Sequence, residues 1–254
     1  MNRELESLQR DWEDLAVVDP FWAVLTHPEE KHDQWETEAF FETGRRDIGR
    51  MLTRAERLGL PSHSRRALDF GCGLGRTTRA LAAAFTDACG VDVSERMVTA
   101  ARELNNDLAN CAFEVHAAAD LARFRSRSFD LVHSILVLQH LPSAALMRAY
   151  IAEFVRVADP SGLVVFQVPE RVPVLRQIQP RRRAYALLRR LGVPPGTLYG
   201  RLHLDPMQVR GLSRREVAAT LQAAGATLLA IEADDLAGAF PSATYYATPD
   251  EHGA

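Results

Sequence analysis

Residues 67–76, ALDFGCGLGR, constrain this chain more than any other stretch. A short apolar run reaches an acid, Asp69. Glycines follow at alternate positions, Gly71, Gly73 and Gly75, and then a helix-forming sequence begins. That order predicts a strand, a tight turn and a helix start. Glycine suits such a turn because a residue without Cβ accepts positive φ and lets a ligand lie against the backbone. The first N–H groups of the helix point into the turn, where they favour negative charge or lone pairs.

From the same point onward, apolar runs alternate with helical periodicity, the mark of βαβ units and a mostly parallel sheet. Strands are expected at 67–70, 89–93, 111–116, 129–135, 162–168, 227–233 and 243–248. Helices are expected over 74–84, from Ser94, and from Ser143 to near Val157. A fourth opens at the capping box Ser213–Glu216 and stops at Gly225. Two regions break the alternation. Residues 1–64 read as helical and aromatic, with a further capping box at Asp33–Glu36. Residues 170–212 read as an irregular insert rich in proline and arginine. Because ligands bind beyond the carboxyl ends of strands in open α/β sheets, both regions are expected to supply a lid and substrate walls around a core domain of residues 65–254.

The chain of 254 residues carries a net charge of −3, so no global field calls for nucleic acid or an anionic membrane. Cys72, Cys89 and Cys111 show no paired spacing and read as reduced thiols, with no metal site expected. No apolar run reaches the roughly 20 residues of a membrane helix, and the first residues show no signal-peptide pattern. A cytoplasmic protein without a membrane partner is expected.

The ligand of the glycine turn is either a dinucleotide or S-adenosylmethionine. Arg76 occupies the position where a dinucleotide fingerprint needs its third glycine. Asp69 would repel a pyrophosphate but suits an ammonium group. Asp92 ends the second strand, where a carboxylate serves the ribose hydroxyls of either ligand. The first two features favour S-adenosylmethionine.

Here the chain resembles the class I S-adenosylmethionine-dependent methyltransferases over residues 65–168. The resemblance rests on Asp69–Gly75, on Gly90-Val-Asp92-Val-Ser94 with Met97, on Ala119-Asp120-Leu121, and on residues 128–142. It implies an α/β Rossmann-like fold: a seven-stranded, mostly parallel sheet, helices on both faces and an antiparallel C-terminal hairpin. It also implies roles. Gly71 and Gly73, with Cys72 and Gly75 in the same turn, let the backbone approach the methionine and ribose portions. Asp69 holds the turn and faces the methionine ammonium, directly or through water, and Asp92 takes the ribose hydroxyls. Val93 and Met97 pack on adenine, Asp120 accepts from its amino group, and the Leu121 N–H addresses the ring. Backbone at Ser134, Ile135 and Leu136 lies beside the methionine end. Arg76, Arg45 and Arg46 are candidates for the methionine carboxylate.

Methyl transfer from a sulfonium is an in-line displacement that chiefly needs alignment and exclusion of water. A base is needed only where the acceptor must lose a proton. His140, just after the fourth strand, is the candidate, because imidazole titrates near neutrality. His203, Tyr199, Met207, Trp22, His27 and Trp35 are further candidates for the acceptor wall. Together they point to a small-molecule acceptor of aromatic or apolar character, methylated at oxygen, nitrogen or carbon, with S-adenosylhomocysteine as the second product. The run Pro180–Arg183 with Arg189 and Arg190 reads as a solvated helix face rather than a nucleic-acid site. A nicotinamide-dependent oxidoreductase and a non-catalytic S-adenosylmethionine-binding protein are the competing functions.

Overall fold

The computed structural model describes residues 3–26, 28–32, 34–173, 179–234 and 240–251. Seven strands form one sheet in the order β3-β2-β1-β4-β5-β7-β6. They are β1 (Arg66–Phe70), β2 (Asp87–Asp92), β3 (Cys111–Val115), β4 (Phe129–Ser134), β5 (Ala158–Pro169), β6 (Ala226–Asp234) and β7 (Ser242–Pro249). The first five run parallel, while β7 pairs antiparallel with both β5 and β6. This is the expected mostly parallel sheet with its C-terminal hairpin.

Strand periodicity divides the core between the two faces. Leu68, Phe70, Val132, Val164, Phe166 and Tyr245 point to one side. There they meet Ile151 and Phe154 of α6 (Ala144–Val157) and Val217 and Leu221 of α9 (Arg214–Ala223). Ala67, Leu131, Leu163, Val165 and Tyr246 point to the other side. They pack on Leu81 of α4 (Arg76–Ala82) and on Ile48, Met51 and Ala55 of α3 (Thr37–Leu58). Each of the valine, leucine, isoleucine, methionine and phenylalanine side chains contributes about 1.5–3 kcal/mol through burial, so both helix layers are firmly held.

Helix starts follow the sequence closely. Ser94 caps α5 (Glu95–Leu104) by accepting from the Met97 N–H at 3.2 Å, and Ser143 caps α6 in the same way through Leu146. Ser213 and Glu216 form the expected capping box of α9. The expected box at Asp33–Glu36 does not open a helix: α3 starts at Thr37 behind Glu36, whose side chain makes no capping bond, and Asp33 lies outside the described residues.

The N-terminal segment is helical, as expected, and has no core of its own. Leu15 of α1 (Arg3–Val18), Ala23 of α2 (Pro20–Val24) and Phe40 and Phe41 of α3 share one cluster with Leu74 and Met97 of the sheet domain. The insert is more ordered than its composition suggested. It holds α7 (Pro180–Arg190) and α8 (Pro195–Gly200), because prolines at the first helical turn tolerate the missing N–H.

α3 approaches the glycine turn very closely at Gly44, where a Cβ would strike the backbone carbonyl of Arg76. Gly49, on the same helix, has open space around it. Helix propensity favours alanine at both by about 1 kcal/mol, whereas backbone overlap costs about 1–3 kcal/mol. Gly44→Ala is therefore expected to lower the urea midpoint at unchanged m-value, and Gly49→Ala to raise it.

Candidate active site

Strand order reverses between β1 and β4, which opens a crevice at the carboxyl ends of the strands. A cavity of about 520 Å³ lies there. The turn after β1 forms its floor. Gly71 (φ 79°) and Gly73 (φ 52°) adopt left-handed backbone, and the Gly71 and Cys72 N–H groups both bond the Val91 carbonyl at the end of β2. The glycines are thus required by conformation as well as by space. Gly75 caps α4 behind the cavity, while Cys72 lies on its wall with the thiol pushed well above its ordinary pKa by burial.

Asp69 and Asp92 diverge. Asp69 is turned away from the cavity and fully enclosed. Its Oδ2 accepts from Thr77 Oγ1 at 2.8 Å and Thr78 Oγ1 at 2.6 Å, and its Oδ1 lies 2.9 Å from His133 Nδ1. Burial would raise its pKa, but the hydrogen bonds from His133 and the two threonines outweigh it and hold the carboxyl below the ordinary range. Asp69 thus ties the turn to α4 and β4, with three bonds from the chain on its two oxygens. Asp92 stays on the cavity wall. It accepts from the Gly73 N–H at 2.9 Å and the Ser94 N–H at 3.0 Å, yet burial still leaves its pKa raised.

Val93, Met97 and Ile135 line the cavity as expected. Ser134 is buried beneath the wall and donates to the Phe70 carbonyl at 3.1 Å. Asp120 and Leu121 are not on the wall. Asp120 is exposed and accepts from the Ala122 N–H at 3.1 Å, and the Leu121 N–H is taken by Glu153 Oε2 at 2.6 Å. The Leu121 N–H, expected at the adenine ring, is thus engaged by Glu153 in this structure. His116 stands in their place on the wall, with its buried Nε2 lacking any partner. Its position one residue past β3 was the available signal.

Arg76 reaches the wall with its guanidinium held by Asp47 at 2.5 Å and Thr43 at 3.2 Å, while its Nε has no partner. Arg45 is committed to Glu38 and Glu42 on the exposed side of α3, and neither it nor Arg46 borders the cavity.

The opposite wall is apolar and comes from distant parts of the chain. Leu5, Leu8 and Trp12 of α1 face Met207 and Val209 of the insert. Of the aromatic candidates, Tyr199 is buried against Asp19, and Trp22, Trp35 and His203 lie off the wall; His27 lies outside the described residues. Trp12, which the sequence reading did not single out as a wall residue, packs edge-on against His140 with centroids 5.3 Å apart.

His140 lines the cavity on a short 3-10 turn, Leu138–His140. Its Nδ1 lies 2.7 Å from the Gln208 carbonyl, an acceptor, so Nδ1 carries the proton. Nε2 then accepts from Gln139 Nε2 at 3.2 Å, which leaves Gln139 Oε1 buried without a partner. Burial pushes the imidazole down to about 4, against the opposing bond to Gln208. Titration near neutrality, expected from the sequence, is corrected by this enclosure. Just before it, Leu136 sits at φ 64° on the wall, and its N–H is held by Gln167 Oε1 at 3.2 Å. A non-glycine residue in this region stores about 1–3 kcal/mol of strain, a cost often met at functional sites.

Residues 68–166 match the family model described as a methyltransferase domain. The ubiquinone biosynthesis O-methyltransferase of Methylococcus capsulatus is 36% identical over 108 residues, covering 42% of this chain and 44% of that protein. The trans-aconitate 2-methyltransferase of Methylobacterium radiotolerans is 35% identical over 111 residues, covering 42% and 39%. These alignments span less than half the length of the curated relatives. Among solved structures, magnesium protoporphyrin IX methyltransferase from Synechocystis, with bound S-adenosylhomocysteine, superposes with a TM-score of 0.62 at 17% identity, over 97% of this chain and 100% of that one. The fold is the Rossmann-like methyltransferase fold.

The two aspartates make opposite predictions for stability. The carboxyl of Asp69 is depressed in the folded state, so its stabilisation is present above 3.8, its unfolded value, and is lost as pH falls through the lower folded value. The carboxyl of Asp92 is raised, so its charge weighs against folding at neutral pH. Asp69→Asn is expected to cost about 3 kcal/mol at pH 7. Asp92→Asn should cost nothing or stabilise. Paired urea titrations read both.

Proposed function

We propose that the chain, whose residues 68–166 match the family model of a methyltransferase domain, is a class I S-adenosylmethionine-dependent methyltransferase that transfers a methyl group to the hydroxyl of an apolar, aromatic small molecule. The observation that carries this is the two-sided cavity. A glycine turn with Asp92 forms one side, and Leu5, Leu8, Trp12, Met207 and Val209 form the other. Flat organic ligands bind in such apolar, aromatic pockets with few polar groups. Relatives named for ubiquinone and tocopherol O-methylation support an aromatic hydroxyl as acceptor.

The residues present fit S-adenosylmethionine. His116 and Arg76, both lining this cavity, each carry a buried polar atom without a partner, Nε2 and Nε. Asp92 would hold the ribose hydroxyls, Val93, Met97 and His116 the adenine, and Arg76 the methionine carboxylate. Bound there, S-adenosylmethionine supplies an electrophilic methyl group. The chain's part is to orient the acceptor and receive its proton. His140 is neutral at pH 7, and an acceptor hydroxyl can displace Gln139 from its Nε2. A hydroxyl becomes far more acidic as its oxygen is methylated, so an imidazole of depressed basicity still takes the proton. Segment 1–64 and the insert 170–212 close the site as a lid and acceptor wall. A nicotinamide dinucleotide and a purely sensory role are not favoured.

Calorimetric titration of S-adenosylhomocysteine should give a dissociation constant on the order of 1–100 μM, weakened at least tenfold in Asp92→Ala. A folded wild-type protein that binds nothing would refute the reading. His140→Ala is expected to lower kcat by about 10²–10⁴ against a panel of phenols while leaving cofactor-product binding within threefold. Because His140 titrates near 4, kcat should stay flat from pH 7 to about pH 5. A break near 6.5 would mean that its imidazole is not enclosed during turnover.

A further inference from the structure

The overall charge of −3 conceals a local asymmetry. Between Glu170 and Asp205 the sequence carries eight arginines, no lysine and no acid. Asp11 and Asp14 of α1 neutralise two of them, Arg182 at 2.8 Å and Arg189 at 2.7 Å. Arg183 and Arg190 form no ion pair among the described residues. On α7, Arg183, Leu187, Arg190 and Leu191 are spaced i, i+4, i+7 and i+8, which places them on one face. Leu187 is 59% and Leu191 71% exposed, whereas Tyr185 is buried against α1, where it donates to Asp14.

Two more apolar side chains border this face. Leu202, 49% exposed, precedes His203, whose carbonyl accepts from Arg181 at the start of α7. Val17, 58% exposed, lies one turn beyond the Asp14 that holds Arg189. These four are the exposed large hydrophobic residues among the described residues, and each lies on α7, at its end, or on a segment bonded to it. A single exposed leucine is ordinary. Four together, interleaved with arginines and without an acid in the segment, form the pattern of a helix lying in a membrane interface.

We propose that the α7 corner docks on the surface of an anionic lipid bilayer, with Leu187 and Leu191 entering the headgroup–acyl boundary and Arg183 and Arg190 on the lipid phosphates. A nucleic acid would satisfy the arginines and leave the leucines in water. The bilayer rewards both. Docking is peripheral, since no described helix is long and apolar enough to cross a membrane. The sequence expectation of no membrane partner, drawn from net charge, averaged this corner with the acidic remainder of the chain. The inference stands apart from the catalytic reading. It bears on it in one respect: α1 holds α7 through Asp11 and Asp14 while giving Leu5, Leu8 and Trp12 to the cavity.

Flotation of the full chain with vesicles tests this. Wild type should float with equal parts phosphatidylcholine and phosphatidylglycerol, less so at high salt, and remain behind with phosphatidylcholine alone. Arg183→Gln with Arg190→Gln should reduce partitioning about thirty-fold. Leu187→Ser with Leu191→Ser should reduce it at least about tenfold. Far-ultraviolet circular dichroism should be unchanged in both, since the four side chains are on the surface. Three outcomes would overturn the proposal: no flotation with anionic vesicles, equal flotation with neutral ones, or wild-type partitioning by the serine variant. Tight binding of a polyuridine RNA that the serine substitutions leave untouched would assign the surface to nucleic acid instead.

Discussion

The enclosed carboxylate of Asp69 is the constraint on which the site depends. It sits at the end of β1 and bonds two threonines in the first turn of α4 and a histidine of β4. One side chain therefore fixes the three elements that meet at the reversal of strand order. The glycine turn that joins β1 to α4 has few internal restraints, because its residues were chosen for freedom rather than for packing. Asp69 clamps both of its ends. The result is a turn whose N–H groups and open face are preorganised, with the conformational cost met during folding rather than during binding. The strain at Leu136, on the other lip of the same crevice, is held in a comparable manner by buried Gln167.

This arrangement explains which parts of the molecule were legible in the sequence. The sheet was legible because a parallel sheet covered on both faces demands apolar runs, and turn residues and capping serines punctuate them. Ser94, Ser143 and Ser213 cap helices where the sequence places them. Asp92 was legible because its location after an apolar run puts it at a strand end facing the crevice. Asp69 and Leu121 mark where pattern reading reaches its limit. A motif gives the position of a side chain or an N–H group, but not whether the protein has already filled its hydrogen bonds. His133, Thr77 and Thr78 occupy three acceptor sites of Asp69, and Glu153 takes the N–H of Leu121, from elements whose approach is a tertiary fact.

The acceptor side was the least legible. Its wall joins α1 to residues near 207, almost two hundred positions away, and no local periodicity encodes that meeting. Apolar packing of Trp12 and Met207 in one cluster joins them, together with a set of polar bonds. Asp11 and Asp14 of α1 accept from Arg182, Arg189 and Tyr185 of α7, all part-buried, where such bonds are stronger than on an open surface. The arginine run that suggested a solvated face therefore has two sides. One side staples the insert to the N-terminal helix and the other is free.

That division has a consequence for how the cavity is built. Charged residues at the staple leave Leu5, Leu8 and Trp12 of α1 to the cavity wall, while Leu15 packs with Phe40, Phe41, Leu74 and Met97. A purely hydrophobic contact between the two helices would compete for the same residues and narrow the space between Trp12 and Met207. The pairing of His140 with Gln208 works in the same direction, since reciprocal bonds between Gln208 Nε2 and the His140 carbonyl and between His140 Nδ1 and the Gln208 carbonyl anchor the insert at the cavity edge. The imidazole is thereby enclosed and its basicity suppressed, so the contact that shapes this part of the cavity wall also sets the protonation state of the ring. Cavity wall and imidazole basicity are consequences of one packing arrangement, and a change in the insert alters both together.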